Sequence, residues 1–164
     1  MLFSFFLFYL LAYVCGAPTS SDVDAADPLA GVVSHIDVTL NLESLVNNLA
    51  NLSFTASNPL ILEITLDRVA VSAGVGGVEY ISFDHTFETP LVVPILGTAD
   101  SGVIENVALP QGGLATLNIV SEGFLDLLDL DLYLRATIGG ILGIPVNDTG
   151  LTATDIPTTW VTPF

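Results

Sequence analysis

The chain has 164 residues, with 18 acidic residues against two arginines and no lysine, and its formal net charge at pH 7 is −16. A surface this acidic repels nucleic acid and anionic lipid headgroups, which excludes both as partners. The length suits a single domain with a real hydrophobic core, and is too short for two ordinary domains.

The first 17 residues form an almost wholly apolar segment that ends in small residues. It runs from Met1 to Ala17 and contains no acidic residue. Such a segment is short for a membrane span but typical of a secretory signal peptide, so we expect cleavage near Gly16 or Ala17 and an extracellular protein. The alternative is an uncleaved segment that anchors the protein to a membrane.

Cysteine usage and glycosylation patterns bear on the same prediction of export. The only cysteine, Cys15, falls within the predicted signal peptide, so the mature domain has no disulfide and depends on packing for stability. Two N-glycosylation acceptor patterns begin at Asn51 and Asn147, and both suit a secreted eukaryotic chain. Pro59 follows Asn58 and excludes that asparagine as an acceptor.

Residues 18–31 are small, acidic and aperiodic, which predicts a flexible, solvated lead-in. From residue 32 to residue 164 we predict one β domain, because apolar and polar residues alternate with period two over residues 36–41, 60–67 and 129–138. Further strands are predicted at residues 69–73, 78–83, 91–95, 115–121 and 141–146, with glycine-rich turns between them. One short helix is predicted within residues 42–52, where leucines recur at helical spacing.

These patterns predict an all-β fold, namely a seven- or eight-stranded antiparallel β-sandwich with at most one short helix. Pro59 lacks a backbone donor and biases Asn58 toward extended geometry, and the asparagine side chain can bond nearby backbone where the chain changes sheet. An Asn-Pro pair between strands, here within residues 54–69, resembles the late-embryogenesis-abundant type 2 domain and its fungal secreted relatives. Residues 93–102 and 143–146 look like those relatives as well, and the resemblance covers about residues 32–160. It implies a sandwich similar to fibronectin type III, no enzyme activity and no functional residue to carry over.

Two Asp-Ser/Thr-Gly triplets begin at Asp100 and Asp148 and match the core of the aspartic-protease signature. Neither triplet continues with Ser or Thr, and 48 residues between them are too few for two lobes. Turns between strands explain both triplets better, so an aspartic-type hydrolase is the least favoured reading.

Metal binding has a poor inventory of candidate ligands. His35 with Asp37, and Asp84 with His85, are the only imidazole–carboxylate neighbours, and we predict that His35 and Asp37 form a solvated pair on one strand face. Three further aspartates suggest weak calcium binding but lack the spacing of a calcium loop, so they are better read as charges that keep a strand soluble: Asp126, Asp129 and Asp131. The sequence predicts no metal, no cofactor and no catalytic residue.

Two functions from different classes remain. The first is a secreted, non-catalytic structural or cell-surface domain, related to stress or to the cell wall. The second is an extracellular carrier whose apolar interior, in a chain that is 51% hydrophobic, opens into a groove for a lipid or similar ligand. A packed core explains the same leucines more simply, which favours the first.

Overall fold

A computed structural model of the chain describes residues 28–138 and 141–162. The predicted signal peptide at residues 1–17 and most of the predicted lead-in lie outside the described residues, and so does the predicted turn at residues 139–140. The described chain begins with the 3-10 helix Pro28–Val32, and Leu29 in that helix is already part of the hydrophobic core.

Eight strands account for most of the described residues. They are β1 (Val33–Thr39), β2 (Leu49–Ser57), β3 (Glu63–Val75), β4 (Val78–Val93), β5 (Thr98–Asp100), β6 (Ile104–Ala108), β7 (Phe124–Ile138) and β8 (Ile141–Val161). The short helices are α1 (Ser44–Asn47), α2 (Gly113–Thr116) and a 3-10 helix at Leu117–Glu122. The all-β part of the prediction therefore describes the chain well.

The predicted antiparallel β-sandwich is wrong, because seven of the strands close into a barrel. Paired neighbours run in the order β1-β8-β7-β3-β4-β6-β2, and β2 pairs again with β1, while β5 lies beside β2 outside this ring. Two short seams join what would otherwise be two separate sheets. One seam is the parallel pairing of β1 with β8, where Val38 faces Trp160, and the other is the pairing of Ser82 with Ala108 between β4 and β6.

Strand β3 shows why the alternating pattern identified strands but not their limits. Two strands were predicted at residues 60–67 and 69–73, yet one strand, Glu63–Val75, covers residues 63–73 without a break, and residues 60–62 lie in the loop before it. The register shifts between Leu66 and Arg68 against both neighbouring strands, which marks a β-bulge at Asp67. The bulge returns Val69 to the buried face that Leu66 also occupies, so the alternation breaks without ending the strand.

The helix predicted within residues 42–52 forms only over its middle part. Asn41 accepts a hydrogen bond at Oδ1 from the backbone N–H of Ser44 at 2.8 Å, which starts the turn of α1. Asn48 has a left-handed backbone with φ of 58° and ends it. Leu49 then begins β2, whose alternate residues are buried, so the leucines at helical spacing belong to two different elements.

The strand predicted at residues 115–121 is wrong, because these residues form α2 and the 3-10 helix that follows it. Thr116 donates from its hydroxyl to the carbonyl of Gly112 at 3.0 Å, four residues earlier, and Thr116 and Ile119 both face the core. A spacing of three residues places these two side chains on one helical face. Apolar runs this short do not distinguish helix from strand.

The barrel interior is filled by aliphatic side chains from the strands. Residues with almost no solvent exposure come from β1, β2, β3, β4, β6 and β7 and from the turn after β1, and the largest are Phe54, Leu40, Ile64, Leu66, Ile81, Leu125, Leu127, Leu130 and Leu132. Small barrels of about this strand number are just wide enough to be filled by their own side chains. A cavity of about 10 Å³ between Phe54, Ile81 and Leu127 is lined only by apolar residues.

Candidate functional site

The two predicted glycosylation acceptors differ in their surroundings. Asn147 is exposed on β8, opposite Tyr133 of β7. Asn51 is half-buried within β2, and the residues before and after it in the sequence are buried. It pairs with Thr39 of β1 on one edge of β2, and β6 pairs with the other edge. Both side chains leave the outer face of the barrel, but Asn147 is the more accessible acceptor.

The two triplets that match the protease signature lie on strands that are not neighbours. Asp100 ends β5, which pairs with β2, and its Oδ1 accepts from the N–H of Gly102 at 2.7 Å. Asp148 lies within β8 opposite Leu132 of β7. The first triplet is the predicted turn between strands, whereas the second lies inside a strand at a bulge where Gly150 has a φ of 73°.

His35 and Asp37 share the outer face of β1, as predicted. The imidazole Nε2 lies 3.4 Å from Oδ1 of Asp37 and 3.0 Å from the hydroxyl of Thr159 on β8. Because both contacts use the same ring nitrogen, this arrangement differs from a catalytic triad, in which the two imidazole nitrogens serve different partners.

Asp84 and His85 do not form a pair, because successive residues of β4 point to opposite faces. The His85 ring packs edge-on against Phe87 with 4.8 Å between ring centroids. Asp84 faces outward to Arg68 on β3, which donates to it from Nε at 2.7 Å. These hydrogen bonds lower the pKa of the Asp84 carboxyl and raise that of the Arg68 guanidinium.

Both arginines of the chain are committed to ion pairs beside the β3 bulge. Arg135 on β7 donates from Nε and from an Nη to the two carboxylate oxygens of Asp67, each at 2.7 Å, and this bidentate contact raises the pKa of the guanidinium. Arg68 also lies over the ring of Tyr133, with 4.8 Å between Cζ and the ring centroid. Two arginines stand against 18 acidic residues in the whole chain, so the outer surface carries a strong negative potential.

The aspartates considered for calcium act on the backbone of β8. Asp131 accepts from the N–H of Gly150 at 2.9 Å, and Asp126 accepts from the N–H of Asp155 at 3.0 Å. The pairing of β7 with β8 shifts register next to each of these aspartates, and each carboxylate provides a hydrogen-bond acceptor for a backbone N–H of β8 there. Within residues 28–138 and 141–162, no three His, Cys, Asp or Glu side chains come together as a group that could hold a metal ion.

Within the described residues, the buried polar residues Ser44, Asn58, Thr116 and Thr158 are bonded to the chain itself. The indole Nε1 of Trp160 is an exception, since this atom is buried and has no hydrogen-bond partner. Asn58 donates from Nδ2 to the carbonyl of Leu62 at 2.6 Å and to those of Val93 and Pro94 at 3.2 Å each, and its Oδ1 accepts from the N–H of Leu60 at 2.9 Å. The predicted role of Asn58 as a bond to backbone between strands is confirmed.

One surface was missed by the sequence analysis. Residues 59–62 and 94–97 form two loops at one end of the barrel, and they carry exposed aliphatic side chains at Ile61, Ile95 and Leu96. Both stretches were assigned in part to the strands predicted at residues 60–67 and 91–95, although each contains an unbroken run of apolar residues after a proline, which is the signal that could have marked the loops.

In the part of the chain that the structure describes, no helix is long and apolar enough to span a membrane.

Comparisons with known proteins leave the family open. No family model matches the chain, and no curated protein matches it at a significant level. The crystal structure of a protein from Archaeoglobus fulgidus is similar with 10% sequence identity and a TM-score of 0.32, over 67% of this chain and 86% of that one. A likeness this distant carries no argument about function.

Proposed function

We propose that the chain is an exported, non-catalytic β-barrel domain with a structural or cell-surface role. The observation that carries the proposal is the use of the four buried polar residues Ser44, Asn58, Thr116 and Thr158. The side-chain amide of Asn58 donates to backbone carbonyls where two loops meet. The hydroxyls of Thr116 and Thr158 donate to nearby backbone carbonyls, and the hydroxyl of Ser44 donates to the side chain of Asn41. Enzyme sites direct such groups toward a substrate, whereas these groups hold the chain's own loops and helices in place.

The outer surface supports the same proposal. Its ion pairs are local contacts between neighbouring strands, and the excess negative charge keeps the domain soluble and separate from other acidic polymers. Glycans at Asn51 and Asn147 and removal of residues 1–17 belong to the proposal, as does the resemblance to the secreted relatives of the late-embryogenesis-abundant type 2 domain.

The cavity beside Phe54 gives no support to the carrier hypothesis. Ligand pockets typically enclose about 300–1,000 Å³, whereas the interior cavity beside Phe54 measures about 10 Å³. A carrier would have to open the barrel to admit a ligand. The weakest strand pairing is between β4 and β6, which pair only at Ser82 and Ala108.

Mass spectrometry of the protein secreted by a eukaryotic host tests the proposal. After glycan removal we expect a denatured mass that starts near residue 17 or 18, and a native mass equal to the denatured one. Retention of residues 1–17 would contradict the secreted form, and a native adduct of lipid size would make the carrier the better function.

A further inference from the structure

The loop-tip surface, defined as the exposed side chains of Ile61, Ile95 and Leu96, is apolar and firmly held. These residues are 61%, 55% and 67% exposed, respectively. The two loops that carry them are joined by the bond from the N–H of Leu96 to the carbonyl of Leu60 at 3.3 Å, and by the Asn58 amide beneath them. The three side chains are therefore presented on one ordered end of the barrel.

Leu96 occupies a backbone conformation that leucine rarely adopts. Its φ is 50°, in the left-handed region where glycine and asparagine are the usual residues. A leucine at this position is strained and also exposed to water, so neither backbone preference nor burial accounts for its presence. Backbone strain of this kind clusters at ligand clamps, active sites and switch regions.

The charge distribution restricts the partner. Residues 58–62 and 91–99 contain no charged side chain, although the chain carries a net charge of −16. A basic partner would meet the acidic faces rather than these loops, and an anionic surface would be repelled by the whole molecule. An uncharged, apolar partner complements the loop-tip surface.

The size of the surface argues against a second copy of the chain as that partner. Three side chains with these exposures present roughly 350 Å², whereas a stable protein interface buries about 800 Å² per partner. A second copy would also bring the same negative charge close by. A lipid surface needs no matching shape, because aliphatic side chains on loops insert among the acyl chains one by one.

The first described residues of the chain fix which end of the barrel they occupy. Strand β1 runs antiparallel to β2, and Val33 pairs with Ala56, two residues before Asn58. Pro28 therefore lies at the same end of the barrel as the loop-tip surface.

We infer that the loop-tip surface is a docking site for an electrically neutral, zwitterionic lipid surface, held by insertion of Ile61, Ile95 and Leu96. The inference names a partner for the surface role proposed above and rests on that proposal only for the exported location.

Flotation with phosphatidylcholine vesicles tests the inference on the secreted protein at about 0.15 M salt, where the Debye length is about 8 Å. The test variant Ile61→Gln/Ile95→Gln removes two inserted side chains. The control variant Leu42→Gln/Val46→Gln removes two exposed aliphatic residues near α1, at the opposite end of β2. Asparagine at position 96 is avoided, because it would create a glycosylation acceptor with Thr98.

We expect the wild type and the control to float with phosphatidylcholine, and the partition coefficient of the test variant to fall by about tenfold or more. Binding should weaken when half of the lipid is phosphatidylserine. The fluorescence of Trp160, which lies beside Val38 at the other end of the barrel, should show that all three proteins are folded.

The inference is overturned if the wild type does not float, if the control loses as much binding as the test variant, or if phosphatidylserine strengthens binding. A dimer that only the test variant disrupts, without vesicle binding, would overturn it in favour of a second copy. Mass spectrometry gives the N-terminus of the wild type and of both variants before flotation. A failure of the predicted cleavage is therefore seen in the mass, and a failure of lipid docking is seen in the flotation.

Discussion

The side-chain amide of Asn58 donates a hydrogen bond to the backbone carbonyl of Val93 at 3.2 Å, across 35 residues of sequence. Val93 is the last residue of β4, and Asn58 follows the last residue of β2. The amide therefore ties together the ends of two strands on different parts of the barrel wall. The same side chain also bonds Leu62 and Pro94, so it fixes both loops that leave these strands.

Replacement of Asn58 by alanine should destabilise the barrel by about 3 kcal/mol, because it leaves buried carbonyls and an N–H without partners. Urea unfolding followed by Trp160 fluorescence measures the loss. Asn118→Ala is the matched control, since Asn118 is exposed on the 3-10 helix after α2, and it should change the free energy of unfolding by less than about 0.5 kcal/mol. Equal stabilities for the two variants would show that the Asn58 amide does not hold the loops.

The sequence pattern predicts most strands because alternation reports which face of a strand is apolar. Residues of β1, β3 and β7 were predicted correctly as strands for this reason, as was the hairpin turn at Gly76 and Gly77. The same alternation suits a sandwich and a barrel, since each buries one face of every strand. Closure depends on two pairings between distant residues, at β1 with β8 and at β4 with β6, and no local pattern encodes them.

The functional surface divides in the same way. The role of Asn58 follows from a short motif and could be predicted from the sequence, whereas glycosylation at Asn51 and Asn147 stays a prediction. The ion pairs of Arg68 with Asp84 and of Arg135 with Asp67 could not, because they depend on strand register and on the bulge at Asp67.

Gly113 marks a place where backbone approaches too closely for a side chain. A Cβ there would lie 2.4 Å from the carbonyl oxygen of Ser44 and 2.8 Å from Cα of Leu45. Gly113→Ala should therefore separate α2 from α1 and cost about 1–3 kcal/mol in the free energy of unfolding. Gly31→Ala provides the control, since a Cβ at Gly31 meets nothing within 4 Å. Urea midpoints that match between the two variants would contradict the close packing of α1 on α2.

Acid should remove the contribution of the Arg68–Asp84 pair to stability. The hydrogen bonds from Arg68 hold the pKa of Asp84 in the folded protein below its unfolded value of about 4. The contribution is therefore fully present above pH ~4 and is lost as the pH falls through the lower, folded-state pKa. It is small, because both side chains are largely exposed.

Comparison of wild type with Asp84→Asn by urea unfolding from pH 7 to pH 2.5 measures this effect. The wild type should be the more stable of the two at pH 7, and the difference should narrow only at the acidic end of the range. Glu88→Gln removes one negative charge from an exposed acid on the same strand and is the matched control variant. A difference between wild type and Asp84→Asn that stays constant across the range would mean that the pair makes no contribution linked to the carboxylate charge.

Asn147 should carry a glycan in a larger fraction of molecules than Asn51. Asn147 is exposed on β8 next to a bulge, whereas Asn51 is half-buried in a strand that has β1 on one edge and β6 on the other. A bulky glycan is best accommodated at an exposed position. Mass spectrometry of peptides from the secreted protein gives the occupancy of each site, and Asn147→Gln should remove most of the glycan mass from the intact protein. Asn51→Gln is the matched variant and should remove less glycan mass. A higher glycan occupancy at Asn51 than at Asn147 would show that glycosylation of this chain takes place before β1 and β6 pair with β2.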